Sequence, residues 1–186
     1  VLTGPEIERQ IALERIVIDP YDPTAVGPNS IDVRLAPELV GYDVDLCEYS
    51  VLSGYVLDAR RDNPTWSRPI HEEGVVLMPG RLYLARTVER THTPFHVPQI
   101  SGRSSVGRLG IRIHATAGFG DVGFNGTWTL EIDVVHPVRV YAGMRIAQLY
   151  FTEPVGELRQ YTGRYQGETD VVASRMWTDT DKRKSP

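Results

Sequence analysis

A chain of 186 residues is long enough to bury one hydrophobic core without disulfide staples, and too short for two large domains to be the default. Its 20 Lys and Arg against 24 Asp and Glu leave a formal charge of −4, which excludes the broad positive field of a non-specific binder of nucleic acid polymers. No apolar run approaches the roughly 20 residues that span a bilayer, so no membrane segment is expected.

The 17 Gly and 13 Pro signal frequent turns and a β-rich fold. Cys47 is the single cysteine, which rules out an intramolecular disulfide and leaves a thiolate zinc site short of ligands. The start, Val1-Leu2-Thr3-Gly4-Pro5, has neither the basic nor the apolar region of a secretory signal, and a cytoplasmic protein is expected.

Taken in chain order, Thr3 and Glu6 with Pro5 between them predict a capping box that opens a short amphipathic helix, with Ile7, Ile11 and Ile16 near one face. Past Pro20 the helical period gives way to alternation. Ile31, Val33 and Leu35 alternate with Asp32 and Arg34, Leu82 and Leu84 with Tyr83 and Ala85, and Trp128, Leu130, Ile132 and Val134 with Thr129, Glu131, Asp133 and Val135. Turns are expected at Gly27-Pro28-Asn29, Asn63-Pro64, Pro79-Gly80, Asn125-Gly126 and Ala142-Gly143, which together suit an antiparallel sandwich or barrel. A β domain over 1–155 is expected to end in a polar, aromatic tail over 156–186. That tail either frays or folds over a ligand or a neighbouring subunit, and its last residues, from Asp179, are expected to lack structure.

Three segments could carry chemistry. Gly102-Arg103-Ser104-Ser105-Val106-Gly107-Arg108-Leu109-Gly110 combines guanidinium forks, hydroxyls and glycines, and reads either as a phosphate cradle or as a short helix with surface arginines. It lacks the Gly-Lys-[Ser/Thr] end of a Walker loop. Asp121, in a glycine-rich loop, either binds a sugar hydroxyl or closes its own turn. Glu131 lies on the opposite strand face from Leu130 and Ile132, where it either meets solvent or serves as a general base for water.

The five histidines, His71, His92, His96, His114 and His136, read as surface or hydrogen-bonded groups; Pro94 separates His92 from His96 and argues against a helical metal pair. The His-x-Glu and Pro-Cys-x-x-Cys signature of zinc-dependent deaminases cannot be completed.

The string 102–110, followed by His114-Ala115-Thr116-Ala117-Gly118-Phe119, Asp121, Gly123-Phe124-Asn125-Gly126 and Thr129-Leu130-Glu131, resembles the dCTP deaminases of the dUTPase-like superfamily. The likeness extends to Asn29-Ser30-Ile31-Asp32-Val33-Arg34-Leu35 upstream. Downstream it runs through Pro137 and Gly143-Met144-Arg145-Ile146-Ala147-Gln148-Leu149 to Tyr165-Gln166-Gly167 and Ala173-Ser174-Arg175, and it is weakest between residues 40 and 75.

The resemblance implies a distorted β-barrel or jelly-roll protomer with a short N-terminal helix, forming homotrimers with sites between subunits. It also implies zinc-free hydrolysis of dCTP to dUTP and ammonia in deoxynucleotide metabolism, with Mg²⁺ carried by the triphosphate and no protein metal ligands. In that family the glutamate matching Glu131 activates water. Ser104 and Arg108 match groups around the reacting end and the phosphates, Arg103 and Ser105 match further contacts, and Asp121 matches the carboxylate that takes the deoxyribose 3′-hydroxyl. Val106, Gly107, Ala117, Thr129 and Leu130 complete the implied substrate surroundings, with Tyr161 as a phosphate contact.

The tail departs from the pattern. Arg164 and Glu168 stand where the family commonly has Lys and Gln reaching the triphosphate, so Glu168 points away, helps hold the metal or alters the preferred nucleotide. Gly120 replaces a larger apolar residue and is expected to open room near the base or sugar. The alternative activity is a bifunctional enzyme that carries dUTP on to dUMP and pyrophosphate, since Ala117-Gly118-Phe119 resembles some such relatives; deamination of a modified cytosine nucleotide is another. A plain dUTPase lacks support without an Arg-Gly-x-x-Gly-Phe-Gly tail. A catalytically silent nucleotide-binding module is disfavoured by Glu131, Asp121, Ser104 and Arg108 occurring together.

Overall fold

The computed structural model describes residues 1–47 and 55–179. Of the tail end expected to lack structure, residues 180–186 lie outside this set.

The chain opens with helix α1 (Gly4–Ala12), which buries Ile7 and Gln10. Thr3 stands at its N-cap, but the predicted capping box does not form. The Glu6 carboxylate instead accepts from Arg9 Nε (2.8 Å), Arg9 Nη2 (2.7 Å) and Gln10 Nε2 (2.6 Å), partners one turn further along the helix. Ile16 is buried but falls beyond the helix end.

Eleven strands follow: β1 (Val17–Asp19), β2 (Ile31–Arg34), β3 (Glu38–Tyr42), β4 (Thr65–Pro69), β5 (Val75–Leu77), β6 (Tyr83–His92), β7 (Val97–Gly102), β8 (Ile111–Arg112), β9 (Asn125–Val134), β10 (Val138–Val140) and β11 (Arg145–Thr152). A one-turn helix, α2 (Ser104–Gly107), separates β7 from β8. The main sheet runs β4-β3-β6-β9-β8 with β1 also on β6, a second runs β2-β11-β7, and β5 pairs with β10. Among the described residues every strand pairing is antiparallel, and the sheets do not close on themselves. The fold is thus mainly β with a short N-terminal helix, as expected, in an open form of the barrel.

Alternation reads best where a strand has one covered face. In β9, Trp128, Leu130, Ile132 and Val134 are buried, while Thr129, Glu131 and Asp133 are only partly so. Ile31, Val33 and Leu35 likewise join the core, with Ile146, Leu149 and Phe151 of β11. In β6, central in its sheet, the alternation fails at its start: Tyr83, Leu84 and Ala85 are all buried, and Leu82 stands exposed before the strand. The expected turn at Asn125-Gly126 is also displaced. These two residues pair with His92 and Thr91 inside the sheet, and the chain reverses earlier, where the Phe124 N–H donates to the Asp121 carbonyl and Gly123 takes φ +85°.

Candidate active site

Antiparallel register places Glu131 opposite Leu84 at the middle of the main sheet, with its backbone N–H donating to the Ile113 carbonyl at 3.0 Å. The side chain faces a cleft of about 490 Å³, which Asp121, Ala117, Thr129, Tyr161 and Glu168 also line. Aromatic rings build one wall. Phe124 meets Trp128 edge-on at 5.5 Å and Tyr161 edge-on at 6.0 Å, linking β9 to the tail.

Gly120 does not widen the cleft as expected. A Cβ there would lie 2.4 Å from Trp128 Cη2, so the indole already fills the space that the missing side chain leaves.

His114 is the residue that the sequence reading missed. Its side chain is largely covered, and its Nδ1 lies 3.7 Å from Glu131 Oε2, too far for a hydrogen bond. Neither ring nitrogen has a protein partner among the described residues, which corrects its reading as a surface or hydrogen-bonded histidine. Burial pushes its pKa below the usual imidazole range, and the Glu131 carboxylate opposes that shift. The neutral ring thus keeps a donor and an acceptor beside the carboxylate. Only the β8-to-β9 pairing brings His114 there; the alternation of Ile111 and Ile113 marks its face but not its neighbour. His96 is buried, with Nδ1 unpartnered.

Over residues 160–175 the tail is hydrogen-bonded along the β domain of its own chain. The Tyr161 N–H donates to the Val122 carbonyl (2.7 Å), Gln166 Nε2 to the Gly123 carbonyl (2.8 Å) and the Gly167 N–H to the Asn125 carbonyl (2.8 Å). From β9, the Thr127 N–H donates to the Glu168 carbonyl (2.9 Å). Further on, the Val172 N–H reaches the Thr129 hydroxyl and the Ser174 N–H reaches the Tyr42 hydroxyl. The tail therefore borders the cleft as a strap, adding Tyr165, Val172, Ala173 and Ser174 to its lining.

The other sequence candidates lie apart from this cleft. Ser104, Ser105, Gly107 and Arg108 are exposed on and after α2, and Val106 points into the core. Arg103 is held by Asp32 at 3.0 Å and donates to the Arg145 carbonyl. Leu130 is fully buried because strand alternation turns its side chain away from Glu131. Arg164 donates to the Arg175 carbonyl and pairs with Asp179, so it too is absent from the lining. The Asp121 carboxylate lines the cleft and makes no hydrogen bond to its own turn among the described residues.

A mainly β fold with an open cleft around a strand carboxylate defines the class, and comparison with known proteins defines the family. The model of the dCTP deaminase-like family matches residues 1–153, and the chain belongs to that family. It is 44% identical over 184 residues to a protein of Leptospira biflexa named dCTP deaminase, dUMP-forming, covering 98% of this chain and 99% of that one. A protein of the same name from Clostridium acetobutylicum is 43% identical over 180 residues, covering 96% and 98%.

Among solved structures, 2′-deoxycytidine 5′-triphosphate deaminase from Agrobacterium tumefaciens shares the fold at a TM-score of 0.61 and 21% identity. The match covers 82% of this chain and 48% of that one, so the chain spans about half the length of that relative. No helix among the described residues is long and apolar enough to cross a membrane.

Proposed function

We propose that this protein is a bifunctional dCTP deaminase and dUTP diphosphatase, which takes Mg²⁺-bound dCTP and two waters to dUMP, pyrophosphate and ammonia. The observation that carries the reading is Glu131, partly buried on β9 and facing an aromatic-walled cleft beside neutral His114. The dUMP-forming names of relatives 43–44% identical over nearly the whole chain favour this product over release of dUTP.

In this mechanism Glu131 takes a proton from water as the oxygen adds to C4 of the cytosine ring. The same carboxyl returns that proton to N3, then takes the proton of the new C4 hydroxyl and passes it to the exocyclic amine, which leaves as ammonia when the C4–N bond breaks and C4=O forms; general acid–base action of this kind contributes about 10²–10⁴-fold. A second water attacks the α-phosphorus of the resulting dUTP, and pyrophosphate leaves. Asp121 is assigned to the sugar 3′-hydroxyl, and its freedom from turn bonding supports that role. The proposed reaction is drawn without zinc, since the single Cys47 cannot complete the thiolate set of the zinc-dependent deaminases. Mg²⁺ enters as part of the substrate, held by phosphate oxygens.

The proposal includes a homotrimer with shared sites. The exposed hydroxyls of Ser104 and Ser105 and the guanidinium of Arg108 do not face their own cleft, and a neighbouring protomer would bring such groups to it.

Time-resolved separation of ammonia, dUTP, dUMP and pyrophosphate tests the reading. Ammonia and dUMP rising together, with no free dUTP, is the expected result. Accumulating dUTP would reduce the protein to a simple deaminase, and absence of ammonia would overturn the assignment.

A further inference from the structure

Among the described residues lining the cleft, three carboxylates occur, Asp121, Glu131 and Glu168, and no Lys or Arg. A nucleotide polyphosphate entering it would meet only negative fixed charge from the lining. The correction comes from one step behind the wall. Arg175 Nη1 lies 2.5 Å from Glu168 Oε1, with the two side chains about one-third exposed, at 37% and 28%.

Three features hold Arg175 in that position. Its Nη1 donates to the Arg164 carbonyl at 2.8 Å, its guanidinium stands 5.9 Å from the centre of the Tyr165 ring, and its backbone N–H donates to the Tyr165 hydroxyl. The nearby cation, Arg164, is already engaged with Asp179.

We propose that Arg175 is the charge-setting residue of the cleft: by neutralising Glu168 it determines how strongly the site binds nucleotides according to their number of phosphates. The inference rests on the nucleotide reading above and goes beyond it by assigning the source of polyphosphate affinity within this protomer. Arg175 acts through Glu168 and is a positioning residue. Its role is a matter of net charge at the strap, so variants should rank by charge and not by the number of contacts removed.

The test measures dissociation constants of dCTP, dCDP and dCMP by calorimetry on the full chain with Mg²⁺ present. It uses wild type, Arg175→Gln, Glu168→Gln, the double variant and Arg175→Lys. Arg175→Gln leaves Glu168 unpaired and is expected to weaken dCTP roughly tenfold at this partly exposed site, and dCMP by less than about threefold. Glu168→Gln frees the guanidinium and should bind dCTP more tightly than wild type. The double variant should return to near wild-type affinity, and Arg175→Lys should retain most of it.

A double variant as weak as Arg175→Gln would overturn the proposal, because contact loss and not charge would then be at work. Equal weakening of dCTP and dCMP would overturn it as well. Failure of wild type to bind any of the three nucleotides would overturn the functional reading itself. Wild-type binding with the wrong ranking of variants would overturn only the role of Arg175.

Discussion

Glu131 combines a strand position that any alternating pattern reveals with a neighbour, His114, that only pairing supplies. Glu131→Gln keeps the shape of the side chain but cannot take a proton from water. Deamination should fall by at least about 10²-fold while dCTP still binds, as ammonia release and calorimetry would show; turnover within a few fold of wild type would refute the assignment.

Buried His96 and largely covered His114 set a pH dependence with a definite sign. Burial, aided by the Arg15 charge, lowers the pKa of His96, and burial lowers that of His114, in both cases below the ordinary 6.5. As pH falls through 6.5 the unfolded chain therefore takes up protons first. Stability is full above that value and declines as the pH drops toward the lower folded values. Urea midpoints should be lower at pH 5.5 than at 7.5, and His96→Gln should reduce that difference even if it lowers both midpoints. An unchanged difference would mean that His96 does not titrate in this range.

At the scale of elements, β9 is the strand on which core, cleft and strap meet. Its inward face carries Leu130, and Leu130→Ala should destabilise the fold by about 2–5 kcal/mol in equilibrium unfolding, whereas Glu131→Gln, one residue along and facing the cleft, should cost far less. The strap lies against the beginning of the same strand. Gly126 makes this possible, since a Cβ there would stand 2.5 Å from the Glu168 carbonyl oxygen and 3.1 Å from Phe124 Cζ. Gly126→Ala should thus displace the strap and lose the Thr127–Glu168 bond, worth about 1 kcal/mol. Faster hydrogen exchange at the Thr127 amide and faster proteolysis of the tail are expected, with dCTP affinity reduced. Exchange at wild-type rate would show that the strap accommodates the methyl group.

For the whole molecule, separation of the α2 segment from the Glu131 cleft makes shared sites testable by complementation. Glu131→Gln and Arg108→Ala should each be nearly inactive alone. Co-expressed in equal amounts, they should recover up to about a quarter of wild-type activity, through sites that draw Glu131 from one protomer and Arg108 from another. No recovery in mixed oligomers would refute shared sites, and full activity from a monomer in light scattering would refute the trimer.

The amino-acid sequence by itself determined the β class, the N-terminal helix and the face of Glu131. Alternation in 128–134 is a local signal, written by a backbone whose side chains change face at every residue. It also carried the family likeness, because glycine, arginine and serine spacings survive as a string. Only the structure decided the rest, by competition within one helical turn at Glu6 and by non-local pairing or packing in the other cases. The Glu6 carboxylate turned to Arg9 and Gln10 and left Thr3 uncapped, and a turn signal at Asn125-Gly126 was absorbed into a strand by pairing with β6. His114 reached Glu131 through the pairing of β8 with β9, and the indole of Trp128 occupied the gap at Gly120. Glu168, an unfavourable charge when read along the chain, met Arg175 where the strap folds back, because neutralisation depends on distance in space and not on position in sequence.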